Sequence, residues 1–198
     1  MVEILKEMLK DSGNVKIVQG DILKIKPKSY IPTPKSYKVV GSLPFYIAVP
    51  VIRKFLELIE LQPQLMIFVV QKEVAQRICA KPPDMNLLAV SVQFYAKAEI
   101  ASYISKSSFW PQPKVDSGII KITPKRPSTR SVLVDLFFKV VKAGFSQPRK
   151  QLINNLSRKL KIDREKVKNW LLKNKIQPTQ RAETLTVEDW LNLTKSLE

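Results

Sequence analysis

Residues 65–71 read LMIFVVQ, and this apolar run decides the fold class of the chain. A strand with one face in water alternates apolar and polar residues, whereas a strand covered on both faces is apolar throughout. Strands of the second kind are typical of parallel sheets, because the helices that connect parallel strands cover both faces. The preceding strand and its exit read KVVGSLPF at residues 38–45, and the amphipathic segment 48–60 predicts the connecting helix. The run therefore predicts an α/β layer fold.

Strands and helices alternate in the predicted structure up to about residue 126. Residues 15–21, VKIVQGD, predict a short strand with a polar carboxyl end. Apolar residues at helical spacing predict helices over residues 1–10, 71–80 and 85–98. Two runs on either side of the proline-rich turn FWPQPK predict a pair of strands over residues 101–109 and 115–124.

The pattern changes after KRPSTR at residues 125–130. Four segments beyond it carry apolar residues with a period near 3.6, and none has the alternation of a strand. They are residues 132–145, 148–161, 164–174 and 187–197. The sequence therefore predicts an α/β domain over residues 1–126 and a small all-α domain over residues 127–198.

The chain is strongly basic, with 34 Lys and Arg against 17 Asp and Glu and a net charge of +17. Such an excess commonly accompanies an anionic partner such as nucleic acid, although a merely soluble basic protein would also fit. The sequence contains no His, which excludes His-based catalytic triads and His–metal sites, and we expect no metal site. The single Cys79 excludes an intramolecular disulfide and is expected to be buried. No signal peptide or membrane span is predicted, so we expect a cytoplasmic protein.

Residues 144–161 place basic side chains around a stripe of leucines. A helix of this kind, anchored in a core, can hold phosphates with little dependence on base sequence. The alternative is an ordinary charged face in contact with water, and the net charge favours contact with RNA or DNA. The candidate RNA-binding residues are Arg149, Lys150, Arg158, Lys159 and Lys161.

The strand exit at Ser42-Leu43-Pro44-Phe45 has two interpretations. It could be a simple strand-to-helix turn, or it could grip a flat nitrogenous ring at the sheet edge where open α/β sheets bind ligands. A serine hydroxyl and a neighbouring carbonyl can accept both N–H groups of an exocyclic amine, and an aromatic ring can stack on the base. Phe109, in the second aromatic stretch, could form the opposite wall, and Trp110 next to it could be a hydrophobic plug.

Five blocks now identify a resemblance to a known family. The blocks VVGSLPFYIAVP, QKEVAQRI, SFWPQPKVDS, KAGFSQPRKQLINNL and RAETLTVEDW occur in the order expected of the ribosomal RNA small-subunit adenine N6,N6-dimethyltransferases, the kasugamycin-sensitivity type. The match runs over about residues 15–193, which makes it far more specific than a single motif.

The resemblance implies a fold, a reaction and a partner. It implies a Rossmann-like methyltransferase domain over 1–126 and an rRNA-contacting helical domain over 127–198. S-adenosylmethionine would be the methyl donor, and two adjacent adenines near the 3′ end of small-subunit (16S) ribosomal RNA would be the substrate. We therefore expect a monomeric enzyme of ribosome biogenesis that acts on this RNA or on the 30S precursor particle.

The resemblance also assigns roles to individual residues. Asp21, in QGDIL, resembles the acidic residue that bonds the adenine of the cofactor. Ser42, Leu43, Pro44 and Phe45 occupy the catalytic turn, and Ser42 stands where the family usually has Asn. Phe45 and Phe109 occupy the two positions that stack on the target base, and Ser42 also borders the cofactor.

One departure from the family concerns the cofactor. Gly13, Gly20, Gly41, Gly118 and Gly144 form no Gly-x-Gly cluster, whereas the family has a glycine-rich turn in its first βαβ unit. We expect an incomplete sheet without that unit, best explained by a truncated reading frame. The alternatives are a separately supplied half, a non-catalytic RNA-binding or ribosome-assembly factor that has lost the cofactor site, and a DNA-binding relative.

Overall fold

A computed structural model describes residues 2–30, 37–44, 46–58, 61–125 and 131–197. The chain divides into two compact units, Met1–Lys35 and Ser36–Glu198. Within the described ranges, no helix combines the length and the apolar content that a membrane crossing needs.

The first unit begins with helix α1, Val2–Met8, as the sequence predicts. No side chain of α1 is buried, and a single 3-10 turn follows at Pro27–Ser29. The strand predicted over residues 15–21 is wrong, because this segment has irregular backbone and pairs with no other described segment. A β-strand is held by hydrogen bonds to a neighbour, so alternating apolar residues without such a neighbour form none.

The second unit contains a four-stranded sheet in the order β1-β2-β4-β3. Its strands are β1, Lys38–Ser42, β2, Leu65–Gln71, β3, Ala96–Ile104, and β4, Ser117–Pro124. Strand β1 runs parallel to β2, from Lys38 opposite Leu65 to Ser42 opposite Val69, which confirms the α/β fold class. Strand β4 runs antiparallel to both β2 and β3, so the sheet is mixed.

Three helices accompany this sheet. Helix α2, Ala48–Leu56, connects the parallel strands, and α3, Lys72–Ile78, and α4, Leu87–Tyr95, follow β2. One face of β2 is fully buried through Met66, Phe68 and Val70, and the alternate residues are only partly buried. Ile120 and Ile122 of β4 lie opposite Phe68 and Met66 and extend the same buried face.

Four helices complete the second unit, as the sequence predicts. They are α5, Ser131–Gly144, α6, Leu152–Leu160, α7, Arg164–Lys173, and α8, Val187–Lys195. Their core also includes Val90 and Phe94 of α4, and the Phe94 ring stacks on Phe137 at 4.3 Å. Helices α5–α8 therefore pack directly on the α/β layer. The proposed domain boundary after residue 126 falls outside the described residues.

Candidate functional site

A shallow cleft of about 370 Å³ lies at one edge of the sheet. Three chain segments line it: the exit of β1, the end of β2, and the loop between β3 and β4. The lining residues are Ser42, Leu43, Pro44, Val69, Phe109, Trp110, Pro111, Pro113 and Ser117. Ser42, Leu43, Pro44 and Phe109, which lie up to 67 positions apart in sequence, are thus brought together at one site.

The strand register explains why these segments meet. Ser42 is the last residue of β1 and lies opposite Val69, so both parallel strands end at the same edge. Strand β4 is antiparallel and begins at this edge, where Ser117 lies opposite Gln71. The loop that leads into β4 therefore lies beside the carboxyl ends of β1 and β2, where α/β sheets bind ligands.

The Ser42 turn has a fixed backbone and a free hydroxyl. Leu43 N–H donates to the Val69 carbonyl at 3.2 Å, and Ile47 N–H donates to the Pro44 carbonyl at 3.1 Å. Ser42 is exposed, and its hydroxyl has no hydrogen-bond partner among the described residues. The hydroxyl is thus available to a ligand. Phe45 lies outside the described residues, and its stacking role stays a prediction.

Asp116 fixes the loop that carries Phe109. Its carboxylate accepts the backbone N–H of Lys106 at 3.1 Å and faces the Lys72 ammonium at 3.4 Å. Its carbonyl accepts the backbone N–H of Lys72 at 3.0 Å. The Lys106 hydrogen bond and then the Lys72 side chain hold the pKa of Asp116 below its ordinary value. One residue therefore ties both ends of the loop to the start of α3.

Gly118 allows α3 to pack close to β4. A Cβ atom added at Gly118 would lie 2.8 Å from the Cβ of Ala75, which is closer than real Cβ contacts. The absence of a side chain at this position therefore lets the helix that carries Lys72 approach the strand that follows Asp116. The bracing of the loop depends on this approach.

Trp110 does not act as a hydrophobic plug. Its side chain is 97% exposed, whereas the neighbouring Phe109 is half-buried. The prediction of a plug is wrong because Pro111 and Pro113 carry the chain along the cleft rim. A second exposed aromatic residue, Tyr46 at 83% exposure, follows the Ser42 turn.

Asp21 lies in the first unit, in a local turn. Its side chain accepts the backbone N–H of Leu23 at 2.9 Å, and its carbonyl accepts the N–H groups of Lys24 and Ile25. The side chain is exposed, so a carboxylate oxygen is open to a donor from a ligand. The predicted contact with the adenine of the cofactor stays a prediction.

The five candidate RNA-binding residues are all exposed, in and beside α6. None of Arg149, Lys150, Arg158, Lys159 and Lys161 forms a salt bridge within the described part of the chain. The opposite face of α6 is buried through Leu152, Ile153 and Leu156. The helix therefore presents uncompensated positive charge to solvent from a rigid base.

The sequence predictions missed two residues that support these sites. Buried Asn155 donates its side-chain amide to the carbonyl of Gly144 at 2.6 Å and to that of Gln147 at 3.0 Å, which fixes the turn before α6. The signal was a polar residue at an apolar position of the leucine stripe. The second missed residue is Asp116. Its signal was its position in the block SFWPQPKVDS, which also contains Phe109.

The described residues fit the target-base side of the site better than the cofactor side. Ser42 is exposed at the carboxyl edge of the sheet, where the reacting end of S-adenosylmethionine would lie. None of the described glycines has a positive φ, and the sequence has no glycine pair that would let the backbone approach a nucleoside. Among the described residues, no cluster of acidic or cysteine side chains could hold a metal ion.

Comparison with known proteins gives matches along the whole chain. The family model described as ribosomal RNA adenine dimethylase matches residues 1–198. A ribosomal RNA small subunit methyltransferase A from Dehalococcoides mccartyi is 40% identical over 191 residues, which cover 96% of this chain and 65% of the relative. The namesake from a Geobacillus species is 35% identical over 208 residues, which cover 100% of this chain and 71% of the relative. The chain thus spans a little under two thirds of the Dehalococcoides relative.

Two solved structures share the fold. A dimethyladenosine transferase from Plasmodium falciparum superposes with a TM-score of 0.76 at 26% identity, covering 97% of this chain and 76% of that one. The 23S rRNA methyltransferase ErmE superposes with a TM-score of 0.77 at 22% identity, covering 99% of this chain and 77% of that one. The mixed sheet with its accompanying helices is therefore that of a Rossmann-like methyltransferase.

Proposed function

The chain belongs to the ribosomal RNA adenine dimethylase family, and we propose that it carries the target-base side of an active site. The reaction is the S-adenosylmethionine-dependent dimethylation of adenine N6 in small-subunit (16S) ribosomal RNA. The cleft that joins the Ser42 turn to Phe109 at the carboxyl edge of the sheet carries this proposal.

The cleft suits an adenine with its amine pointing at Ser42. The exocyclic amine has two N–H donors, which the Ser42 hydroxyl and a neighbouring backbone carbonyl accept. These bonds hold the amine so that its nitrogen lone pair points toward the methyl donor, and positioning of this kind accounts for much of the rate in group transfer. Phe109 supplies a ring on which the base stacks.

When bound, S-adenosylmethionine would supply an electrophilic methyl group on its sulfonium, and the sulfur would leave as a neutral thioether. For each methyl that N6 gains, it loses one proton. No residue that lines the described cleft is ionisable, so the proton passes to water. Asp21, in the first unit, would be the partner of the adenine in the donor. Among the described residues, the chain offers this residue but no glycine-rich turn for the nucleoside.

The basic face around α6 holds the RNA. Arg149, Lys150, Arg158, Lys159 and Lys161 are free to neutralise phosphates, which gives affinity that falls with salt. The substrate in ribosome biogenesis is the small-subunit RNA within the 30S precursor particle, and the protein acts as a cytoplasmic monomer. Base recognition in the cleft then selects the adenines.

Methyl transfer to unmethylated small-subunit rRNA tests the proposal. We expect labelled methyl groups from S-adenosylmethionine to appear as N6,N6-dimethyladenosine in a digest analysed by mass spectrometry. Ser42→Ala and Phe109→Ala should each lower the rate at least about tenfold, since each removes a positioning contact. Ser91→Ala, which removes a partly exposed hydroxyl on α4 that donates to the Leu87 carbonyl, is the matched control and should leave the rate unchanged.

Binding measurements identify the alternative. Calorimetry with S-adenosylmethionine should show binding to the chain. RNA binding with neither cofactor binding nor methyl transfer would contradict the proposal and support a non-catalytic RNA-binding or ribosome-assembly factor.

A further inference from the structure

Trp110 is the most exposed of the large apolar side chains in the described part of the chain. Transfer of an indole ring from water to an apolar environment is favourable, so burial of this ring against a partner would be favourable as well. The ring lies on the rim of the cleft that contains Ser42 and Phe109. An aromatic or apolar partner that reaches the rim of this cleft would therefore bury the ring.

The loop that carries Trp110 is held rigidly. Asp116 fixes the base of the loop to Lys106 and Lys72, and a 3-10 turn at Lys106–Ser108 precedes Phe109. Pro111 and Pro113 restrict the backbone beyond the ring. A loop backbone held this way loses little conformational freedom when a partner stacks on the ring, so more of the contact energy appears as affinity.

The charge around Trp110 favours a nucleic-acid partner. Exposed Lys106 and Lys114 lie on the same loop, and Asp116, its one acidic residue, is already engaged by Lys72. A stacking ring flanked by cations is the arrangement that holds single-stranded RNA or DNA. The cleft volume of about 370 Å³ is at the small end of the range for ligand sites, so it has room for a flat base and not for a large ligand.

We propose that Trp110 stacks on the nucleobase adjacent to the target adenine, an inference that rests on the proposed function. Phe109 and the Ser42 turn hold the base that reacts, and Trp110 holds its neighbour outside the cleft. The residue is thus a positioning residue that places the RNA strand so that one adenine at a time enters the cleft. Stacking is tolerant of base identity, so Trp110 adds affinity and register rather than sequence preference.

Tryptophan fluorescence tests the proposal directly. Trp170 is 9% exposed, with its indole N–H bonded to Leu193 O and Ser196 Oγ, and Trp190 is fully buried. Emission that acrylamide can quench therefore comes from Trp110. When the full chain is saturated with an oligoadenylate of eight nucleotides, we expect the Trp110 emission to be quenched by the bound base and the ring to be protected from acrylamide. Unchanged emission and unchanged acrylamide access at saturation would overturn the proposal.

Affinity measurements supply the second readout. Trp110→Leu should weaken binding of the oligoadenylate by about 5- to 150-fold, the loss expected for one stacked base. Trp110→Phe should retain most of the affinity, and Tyr30→Leu, a change at an exposed aromatic residue of the first unit, should have no effect. An oligonucleotide with abasic central positions should bind the original chain and Trp110→Leu equally. Wild-type affinity of Trp110→Leu for oligoadenylate would contradict the role.

These outcomes separate the two proposals. Trp110 quenching and affinity loss without any methyl transfer would leave the stacking role intact and contradict the proposed function. Methyl transfer at the original rate and Michaelis constant by Trp110→Leu would contradict the stacking role and leave the proposed function intact.

Discussion

The carboxylate of Asp116 lies 3.4 Å from the ammonium of Lys72, and this pair spans 44 positions of the sequence. It connects the loop that carries Phe109 and Trp110 to the first turn of α3. Both groups are partly exposed, so the pair contributes little to global stability. Its importance is local, because it holds one wall of the cleft.

The pKa of Asp116 reports on this bracing. Because the Lys106 N–H and the Lys72 side chain favour the ionised form, we expect a pKa below the ordinary 3.8. Lys72→Met should raise this pKa only part of the way back to 3.8, because the Lys106 hydrogen bond is the larger cause of the lowered pKa. Because the pKa is lowered by folding, the stabilisation is present above pH 3.8 and is lost as pH falls through the lower folded value. Carboxyl NMR titration measures both values, and Lys114→Met is the control. A pKa at or above 3.8 would show that the bracing does not form.

Asn155→Ala should lower the free energy of unfolding by about 2–4 kcal/mol. The change removes two hydrogen bonds to the carbonyls of Gly144 and Gln147 inside a buried turn. Denaturant unfolding measures the effect. Asn154→Ala alters a partly exposed neighbour and should cost less than about 1 kcal/mol. Equal losses for the two variants would contradict the bracing role of Asn155.

Gly144→Ala should be destabilising by about 1–3 kcal/mol because of overpacking. A Cβ atom at this position would overlap Cη2 of the Trp190 ring, which is fully buried. Gly13→Ala is the matched control, since nothing lies within 4 Å of its added Cβ. Thermal or chemical unfolding compares the two, and a Gly144→Ala chain as stable as the control would show that the ring yields.

Replacing the basic residues of the α6 region by Gln should reduce the salt dependence of RNA binding. Each lost phosphate contact on a single strand lowers the slope of log K against log salt by about 0.7. Arg149, Lys150, Arg158, Lys159 and Lys161 are changed one at a time and then together. The charge-matched control replaces five exposed lysines of the first unit by Gln together: Lys6, Lys10, Lys16, Lys24 and Lys26. A slope that is the same for the two five-residue variants would place the RNA contact elsewhere.

Cys79 should react slowly with alkylating agents in the native protein. Burial, with a smaller contribution from Glu99, raises the pKa of the Cys79 thiol from 9.0 to about 11. The native alkylation rate should therefore rise with a midpoint near pH 11, and the rate in denaturant with a midpoint near pH 9. Because the unfolded thiol ionises first, Cys79 favours the folded state below pH 9 and loses this effect as pH rises toward 11. Coincident midpoints would contradict the burial effect.

Periodicity predicted most elements of the fold. The run at 65–71 specified a parallel neighbour, and the 3.6-residue period after residue 130 specified four helices, because both patterns reflect burial within the element itself. The strand predicted over 15–21 failed because pairing depends on a neighbour that local sequence does not contain. The helix predicted over 85–98 ended early, since β3 begins at Ala96 and pairs with Pro124, 28 positions later.

The candidate site was predictable in its residue types and less so in its geometry. The Ser42 turn and Phe109 were recognised because their blocks occur in a known order. The exposure of Trp110 was missed, because a ring between prolines can point to the core or to solvent with the same sequence. The contact between Lys72 and Asp116 could not be predicted from the sequence, because it depends on the close approach of α3 to β4 that Gly118 allows.

The shared core of α4 with α5–α8 has a consequence for cooperativity. Val90 and Phe94 pack in the same cluster as Phe137, Leu152 and Trp190, so helices α5–α8 and helix α4 of the sheet layer gain their stability jointly. A chain cut near residue 126 would leave an aromatic surface bare on both pieces. The cleft and the basic face are therefore expected to melt in one transition, and an amide in α6 should exchange its hydrogen on the same timescale as one in β2.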